Sequence, residues 1–302
     1  MTGNRVKVSI LIPLYNGEQV IGPCLDSVLA SGFKDYEILV LDDCSGDKSV
    51  SEAEKYLPRG ITLVSNDKNA GFVKNIHRGI KKAKGKIIVL LNMDTIVEKD
   101  WLEELIKPFD VLQGIGAVGS KIYYMGDAVL QHAGAYLDDI ARSYHTGRGE
   151  LDNGQYNTCR EVEYVCGASL AFQKDAIESV GGFDTGYSPA YYEEADMAFR
   201  LRKAGYKIIY APASRLRHHE CYATKGAFFY YISKNRLRFV FKHFSLRRLL
   251  FDFIPKERRF FVTNNNANRK DLLKAYLFTL FGLFEISFRR LKEKTQNVKG
   301  QH

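Results

Sequence analysis

The chain has 302 residues, 45% of them apolar and 26% charged, a composition that excludes a disordered or low-complexity polypeptide. Five cysteines, at 24, 44, 159, 166 and 221, form neither a CxxC spacing nor a dense framework, which suits small buried hydrophobes in a reducing compartment. The net charge of +9 is unevenly divided: from residue 200 onward 24 Lys and Arg face 6 Asp and Glu, while the earlier residues hold 20 basic and 29 acidic side chains.

The polar start leads straight into a strand pattern, and no run reaches eighteen apolar residues. Neither a secretory leader nor a spanning helix is therefore expected, and a cytoplasmic location is. In chain order, Val6–Pro13 (VKVSILIP) is an apolar strand and Gly17–Ser31 a helix. Tyr36–Leu41 (YEILVL) is a second strand, ending in the turn-forming cluster Asp42-Asp43-Cys44-Ser45-Gly46-Asp47. A helix to about Tyr56, a strand at Ile61–Ser65, a helix at Gly71–Lys84 and the wholly apolar strand Lys86–Asn92 (KIIVLLN) follow. Alternation of this kind predicts an α/β fold with a mostly parallel sheet covered on both faces. Ligands of such sheets bind beyond the carboxyl ends of the strands, where Tyr15, Asp42, Asp43 and Asp94 fall.

The second half is less regular. Glu161–Phe172 (EVEYVCGASLAF) reads as one strand with small residues at its centre, Gly181–Asp184 as a turn, Glu193–Ala204 as a helix and Tyr206–Ala211 as a strand. Past Thr224 the pattern turns to basic, aromatic helices, with a break expected near Ile254–Pro255 and a polar loop at Asn264–Asn268. Two domains are expected, 1–224 and a helical extension 225–302.

Several groups at these strand ends can do chemistry, and each has a plainer role. Asp94, closing Asn92-Met93-Asp94, can bind Mg²⁺ or Mn²⁺, which prefer oxygen ligands, or it can cap the segment starting at Thr95. Asp42 and Asp43 can accept the N3–H of a pyrimidine or form an Asx turn, and Asp47 can cap the next helix. Glu193 and Glu194 can supply a general base or complement a helix dipole, and Asp196 can pair with Arg200 four residues on. His218 and His219 can ligate metal or serve structurally.

Taken in order, SILIPLYNGEQVI, EILVLDDCSGD, NAGFVKNIHRGIKKAKGKIIVLLNMDT, VCGASLAFQKDAIESVGGFDTGY, YYEEADMAFRLRKAGYKIIYAP and RHH resemble the family 2 inverting glycosyltransferases of the A-type nucleotide-sugar fold, rhamnosyltransferase-like members above all. The resemblance covers about Val6 to Thr224. It implies that Pro13, Tyr15 and Asn16 meet the base and ribose, that Asp42 and Asp43 bind the nucleotide, and that Lys74 joins the donor-binding set. Asn92, Met93 and Asp94 then form the metal-binding triplet, with Asp94 on the ion and His218 completing the site. Glu194 is implied as the base, with Glu193 and Asp196 beside it. Two departures stand out: Asn92 where many relatives carry Asp, and Glu194 where Asp is commoner.

The reaction so implied is a single displacement with inversion, moving a sugar from a nucleotide-diphosphate donor, UDP- or dTDP-linked, to a hydroxyl of a glycan or lipid-linked acceptor, assisted by Mg²⁺ or Mn²⁺. A catalytically silent sugar-nucleotide scaffold and a nucleic-acid binder are the rival classes. The retained acids speak against the first, and the lack of an RNA-binding motif in the tail against the second, so no nucleic-acid partner is expected. The tail fits either helices packed with basic outer faces or an interfacial helix pair, Phe228–Ile254 and Ala275–Phe288, meeting an anionic membrane through Arg236, Arg238, Lys242, Arg247 and Arg248.

Overall fold

The structure, a computed structural model, describes residues 7–220, 228–265 and 268–282. It divides into two compact units, one of Met1–Tyr136 with Tyr144–Tyr222, the other of Leu137–Ser143 with Ala223–His302. Cys221, the expected boundary at 224/225 and the end of the apolar stretch at 283–288 lie outside the described residues.

The first unit opens as the alternation predicts: β1 (Val8–Leu14), α1 (Ile21–Leu29), β2 (Tyr36–Asp42), α2 (Ser49–Glu54), β3 (Ile61–Ser65), α3 (Phe72–Lys82) and β4 (Ile87–Leu91). Strand β1 pairs in parallel with β2 and β4, and β2 with β3. All five residues of β4 are buried, the condition under which a strand loses its polar alternation. Next come β5 (Thr95–Val97), α4 (Trp101–Val111), β6 (Ile115–Tyr124), β7 (Leu130–His132), β8 (Ala135–Leu137), β9 (Ser143–His145), β10 (Arg160–Glu161), β11 (Ser169–Gln173), α5 (Lys174–Ser179), α6 (Glu193–Lys203) and β12 (Lys207–His218). The sheet runs β10-β12-β6-β11-β4-β1-β2-β3. Strand β11 lies antiparallel between β4 and β6, and β12 is parallel to β6, so the sheet is mixed.

Trp101, the chain's one tryptophan, is wholly buried, and its indole N–H donates to Ser120 Oγ and Ser169 Oγ at 3.2 and 2.9 Å. Ser214 Oγ completes the cluster, 2.8 Å from Ser120 Oγ, so one satisfied polar knot ties α4 to β6, β11 and β12.

Three expectations are corrected. Glu161–Phe172 is two strands, because β10 pairs with β12 at the sheet edge whereas β11 pairs with β4 and β6 in its interior. Residues 162–168 cross between these places, pinned on the way by a bridge between Tyr164 and Ala135. The strand expected at Tyr206–Ala211 runs on to His218 after a register shift between Ala211 and Arg215, so His218 closes a strand and does not sit in a loop. No break falls at Ile254–Pro255: α8 (Leu246–Arg248), a π-helical turn (Leu249–Phe253) and α9 (Ile254–Thr263) follow one another without a gap, with Pro255 the second residue of α9.

The second unit also contains α7 (Phe228–His243) and a helix at 268–282. At its centre Arg236 donates to both carboxylate oxygens of Glu257 at 2.7 and 2.5 Å, and to the Ile140 carbonyl at 2.9 Å. The Tyr276 hydroxyl donates to the same carboxylate at 2.5 Å. Arg236 is therefore buried, which corrects its expected place on a basic outer face. Among the described residues no helix is long and apolar enough to cross a membrane.

Candidate active site

The parallel register sets Leu14 level with Asp42, so β1 and β2 deliver their last residues side by side. Beyond them Asn16 adopts a left-handed conformation (φ 50°), in which its Oδ1 accepts from Gly46 N at 2.8 Å while its own N–H donates to Ser45 Oγ at 3.1 Å. Tyr15 is exposed and Pro13 half-buried. The Asp42 carboxylate accepts from Cys44 N and Ser45 N, both at 3.2 Å, which is the expected Asx turn. Asp47 accepts from Ser49 N at 2.9 Å, as a helix-entry residue does.

Asp43 reaches further. Its carboxylate accepts from Asn66 Nδ2 at 2.7 Å and from Ala70 N and Gly71 N at 2.8 Å, clamping the entry to α3 against the end of β2. Asn75 braces the same corner, donating to the Leu41 carbonyl at 2.6 Å and accepting from Asn66 at 3.1 Å. A carboxylate offers about four acceptor positions, so Asp42 and Asp43 each keep capacity for a ligand N–H. Lys74 is exposed one turn into α3.

The triplet Asn92-Met93-Asp94 follows β4. The Met93 side chain is buried in the core, with Gly17 so close that a Cβ there would stand 2.5 Å from Met93 Sδ. Thr95 begins a strand and no helix, so Asp94 has no helix to cap. Its carboxylate faces His218 instead, Oδ1 lying 3.2 Å from His218 Nε2. Strand pairing brings them together, since β12 runs antiparallel to β5 with His218 opposite Thr95. His219 donates its backbone N–H to the Asp94 carbonyl at 3.0 Å.

Gln131 fixes the histidine ring. Its side-chain oxygen lies 2.8 Å from His218 Nδ1, and as an acceptor from that nitrogen it selects the tautomer whose lone pair is on Nε2. The Asn92 amide donates towards that nitrogen at 3.3 Å. Two acceptors thus face each other at about the separation of neighbouring ligands around a six-coordinate ion with bonds of roughly 2.1 Å. Among the described residues no group of three His, Cys, Asp and Glu side chains is arranged to hold a metal. Two protein ligands suit an ion that takes the rest of its shell from water and phosphate, and the donor set fits Mg²⁺ or Mn²⁺.

The acid pair opens α6. It is preceded by Tyr191 (φ 80°) and Tyr192 (φ 70°), both in the left-handed region, where non-glycine residues cost about 1–3 kcal/mol each. Glu193 Oε2 and Glu194 Oε2 are both buried and make no hydrogen bond. Burial pushes the Glu194 carboxyl up to about 7, and burial together with the Glu194 charge raises Glu193 well above its ordinary range. From 4.5 to about 7 corresponds to roughly 3 kcal/mol, more than the ~0.3–1 kcal/mol by which a helix N-terminus favours a carboxylate, so desolvation wins over the dipole. Asp196 differs: it is fully buried, accepts from Tyr187 OH at 3.0 Å and from Arg200 Nε at 2.8 Å, and so makes the expected i,i+4 pair. Arg200 also donates to the Gly182 carbonyl at 2.7 Å, tying the turn at Gly181-Gly182 to α6.

The crossing segment touches the triplet. The Ala168 carbonyl accepts from Asn92 N at 3.0 Å. Cys166 N donates to Nε2 of the buried His132 at 3.2 Å. Burial pushes the Cys166 thiol up to about 12, with the Glu194 and Glu220 charges acting the same way. Gly167 borders open space. Gln131, Tyr187, Asn66, Asn75 and His132 thus brace the candidate site although no motif singles them out; Gln131 is 87 residues from the histidine it contacts, and no local spacing signals that.

The sequence model described as "Glycosyl transferase family 2" matches residues 9–181. The O-antigen biosynthesis protein RfbC of Myxococcus xanthus is 24% identical over 223 residues, 71% of this chain and 17% of that protein. A poly-beta-1,6-N-acetyl-D-glucosamine synthase of Staphylococcus aureus is 26% identical over 207 residues, 68% of this chain and 48% of that protein. The chain therefore spans less than half the length of these two relatives. Among solved structures, GalNAc-T7 with UDP, GalNAc and Mn²⁺ superposes with a TM-score of 0.66 at 17% identity, over 91% of this chain and 55% of that one, a likeness of fold. With more than half its residues inside the family match, and a strand-end site of the A-type nucleotide-sugar fold, the chain belongs to glycosyl transferase family 2.

Proposed function

We propose that the chain transfers a sugar from a UDP- or dTDP-linked donor to a hydroxyl of a glycan or lipid-linked acceptor, with inversion at the anomeric carbon. The observation that carries this reading is the Glu194 carboxylate, buried and unpaired at Oε2 and poised near neutrality, in a family 2 chain that also brings His218 Nε2 within 3.2 Å of Asp94 Oδ1.

Asp42 and Asp43, held by backbone N–H donors, present acceptors to the N3–H of a pyrimidine, which supports a UDP- or dTDP-linked donor. Tyr15 and Asn16 border the base and ribose. Asp94 and His218 would hold Mg²⁺ or Mn²⁺, which when bound offsets charge on the leaving diphosphate. Glu194 takes the proton from the acceptor hydroxyl as its oxygen bonds to the anomeric carbon and the bond to the diphosphate oxygen breaks. The proton ends on the Glu194 carboxyl and the electron pair on the departing nucleotide. A pKa near 7 suits this role, because a base of that strength is ionised at working pH and still accepts a proton readily. Glu193 keeps the pair desolvated, and Asp196 positions α6 through Arg200 and Tyr187.

The test is a panel of UDP-, dTDP- and GDP-sugars, scored by binding and by hydrolysis or transfer in the presence of Mn²⁺, with the anomeric configuration of the product read by NMR. Selective binding of pyrimidine donors and an inverted product are expected. A retained configuration overturns the single displacement, and binding without any turnover leaves a scaffold.

A further inference from the structure

The helical run Leu246–Thr263 of the second unit buries the wrong half of its apolar residues for a protein that meets only water. Leu249, Phe253 and Glu257, four residues apart, form its buried row. The row beside it, Leu246, Leu250 and Ile254, has the same spacing and is exposed at 70, 49 and 51%, with Phe251 at 72%. Exposed single leucines are ordinary, but four large apolar side chains on successive turns form a patch that needs an explanation.

The charges around the patch say what covers it. Arg247, Arg258 and Arg259 are exposed and Arg248 is half-buried with its guanidinium over the Phe244 ring. Against them stand two acids in the run: exposed Asp252, and Glu257, which is consumed by Arg236. Apolar side chains flanked by arginines along one short helix match a surface whose interior is hydrocarbon and whose border is anionic. A second protein copy would bring the same arginines against themselves.

We infer that this face is a monotopic anchor that seats the second unit on an anionic bilayer, with Leu246, Leu250, Phe251 and Ile254 entering the acyl boundary and Arg247 and Arg248 at head-group level. The buried row is not used, so docking leaves the unit's core intact. The inference is independent of the sugar-transfer reading, since adsorption is measured without turnover.

The experiment is sedimentation of the full chain with vesicles of phosphatidylcholine alone and of phosphatidylcholine with 30% phosphatidylglycerol (about that fraction sets a surface potential of biological size). Binding to the anionic vesicles is expected, falling as salt rises. Leu250→Ser with Phe251→Ser, both at exposed positions, should lower partitioning at least tenfold with an unchanged melting temperature. Arg247→Gln with Arg248→Gln should lower it roughly tenfold or more, since each basic residue contributes on the order of fivefold. Absence of binding at low salt overturns the inference, as does equal binding to both vesicles. Binding that survives the serine variant assigns the adsorption to another surface, and a dimer that the serine variant dissociates makes the face a contact between copies; either result overturns it as well.

Discussion

His218 Nε2 and Asp94 Oδ1 stand 3.2 Å apart, and Gln131, accepting from the other ring nitrogen, keeps the nearer one an acceptor. Gln131→Leu roughly preserves volume at a buried position and removes the carboxamide whose oxygen accepts from the ring. Outer partners of this kind are worth about 10- to 100-fold in metal affinity. The expected result is that loss in Mn²⁺ affinity, measured calorimetrically with UDP present, at an unchanged melting temperature. Asp94→Ala should abolish metal-dependent nucleotide binding altogether, and His218→Ala should weaken it less. Full Mn²⁺ affinity in Gln131→Leu means that its oxygen does not orient the ring.

Glu194→Gln keeps size and loses the ability to accept a proton. A fall in kcat of about 10²- to 10⁴-fold is expected with donor affinity little changed. Since burial holds the Glu194 carboxyl near 7, the rate should climb with pH through that value and level off above it, and the residual rate of the variant should lack the limb. If Glu193→Gln is the more damaging change, the base is the first acid of the pair.

The same pair ties activity to stability. A carboxyl whose pKa rises from 4.5 to about 7 on folding binds its proton more tightly in the folded state. Its contribution is fully present below 4.5 and is lost as pH rises through 7. Glu194→Gln, which carries no charge to desolvate, should therefore gain on the wild type by on the order of 1–3 kcal/mol between pH 5 and pH 8. At roughly 2–4 °C per kcal/mol, the difference in melting temperature should widen by several degrees, readable by calorimetry. A constant difference across that range would mean that the two states hold the proton equally.

Much of this was legible in the chain itself. Continuous apolar runs before Asp42 and Asn92 announced buried parallel strands, and strand-end acids announced the site. Local chemistry also gave the Asx turn of Asp42 and the Asp196–Arg200 pair, because each closes within four residues. What escaped were relations between distant strands. The extension of β12 to His218, past an irregularity at Pro212, is set by its pairing with β6 and β5 and by no local pattern. The break inside 161–172 was hidden for the same reason: both pieces are strand-like, and only the sheet order shows that they belong to different neighbours. The left-handed Tyr191 and Tyr192 had no signal at all, since aromatic residues are not expected there.

Two glycines should separate the support of the site from its occupancy. A Cβ on Gly119 of β6 would lie 2.3 Å from the Val165 Cβ. The backbone fixes that atom, so no change of rotamer relieves the clash, and residues 164–166 must shift. The shift would draw Cys166 N from His132 and, through Ala168, disturb Asn92. Overpacking of this kind costs about 1–3 kcal/mol, so Gly119→Ala should lose several degrees of melting temperature and transfer activity together. Gly167 lies two residues further along, and a Cβ there meets nothing within 4 Å. Gly167→Ala should melt with the wild type, because the added Cβ meets open space, and a raised KM for donor or acceptor is expected if the proposed substrate passes beside residue 167. Wild-type kinetics in Gly167→Ala would place the sugar elsewhere, and unaltered stability in Gly119→Ala would show that the crossing segment is looser than its packing against β6 implies.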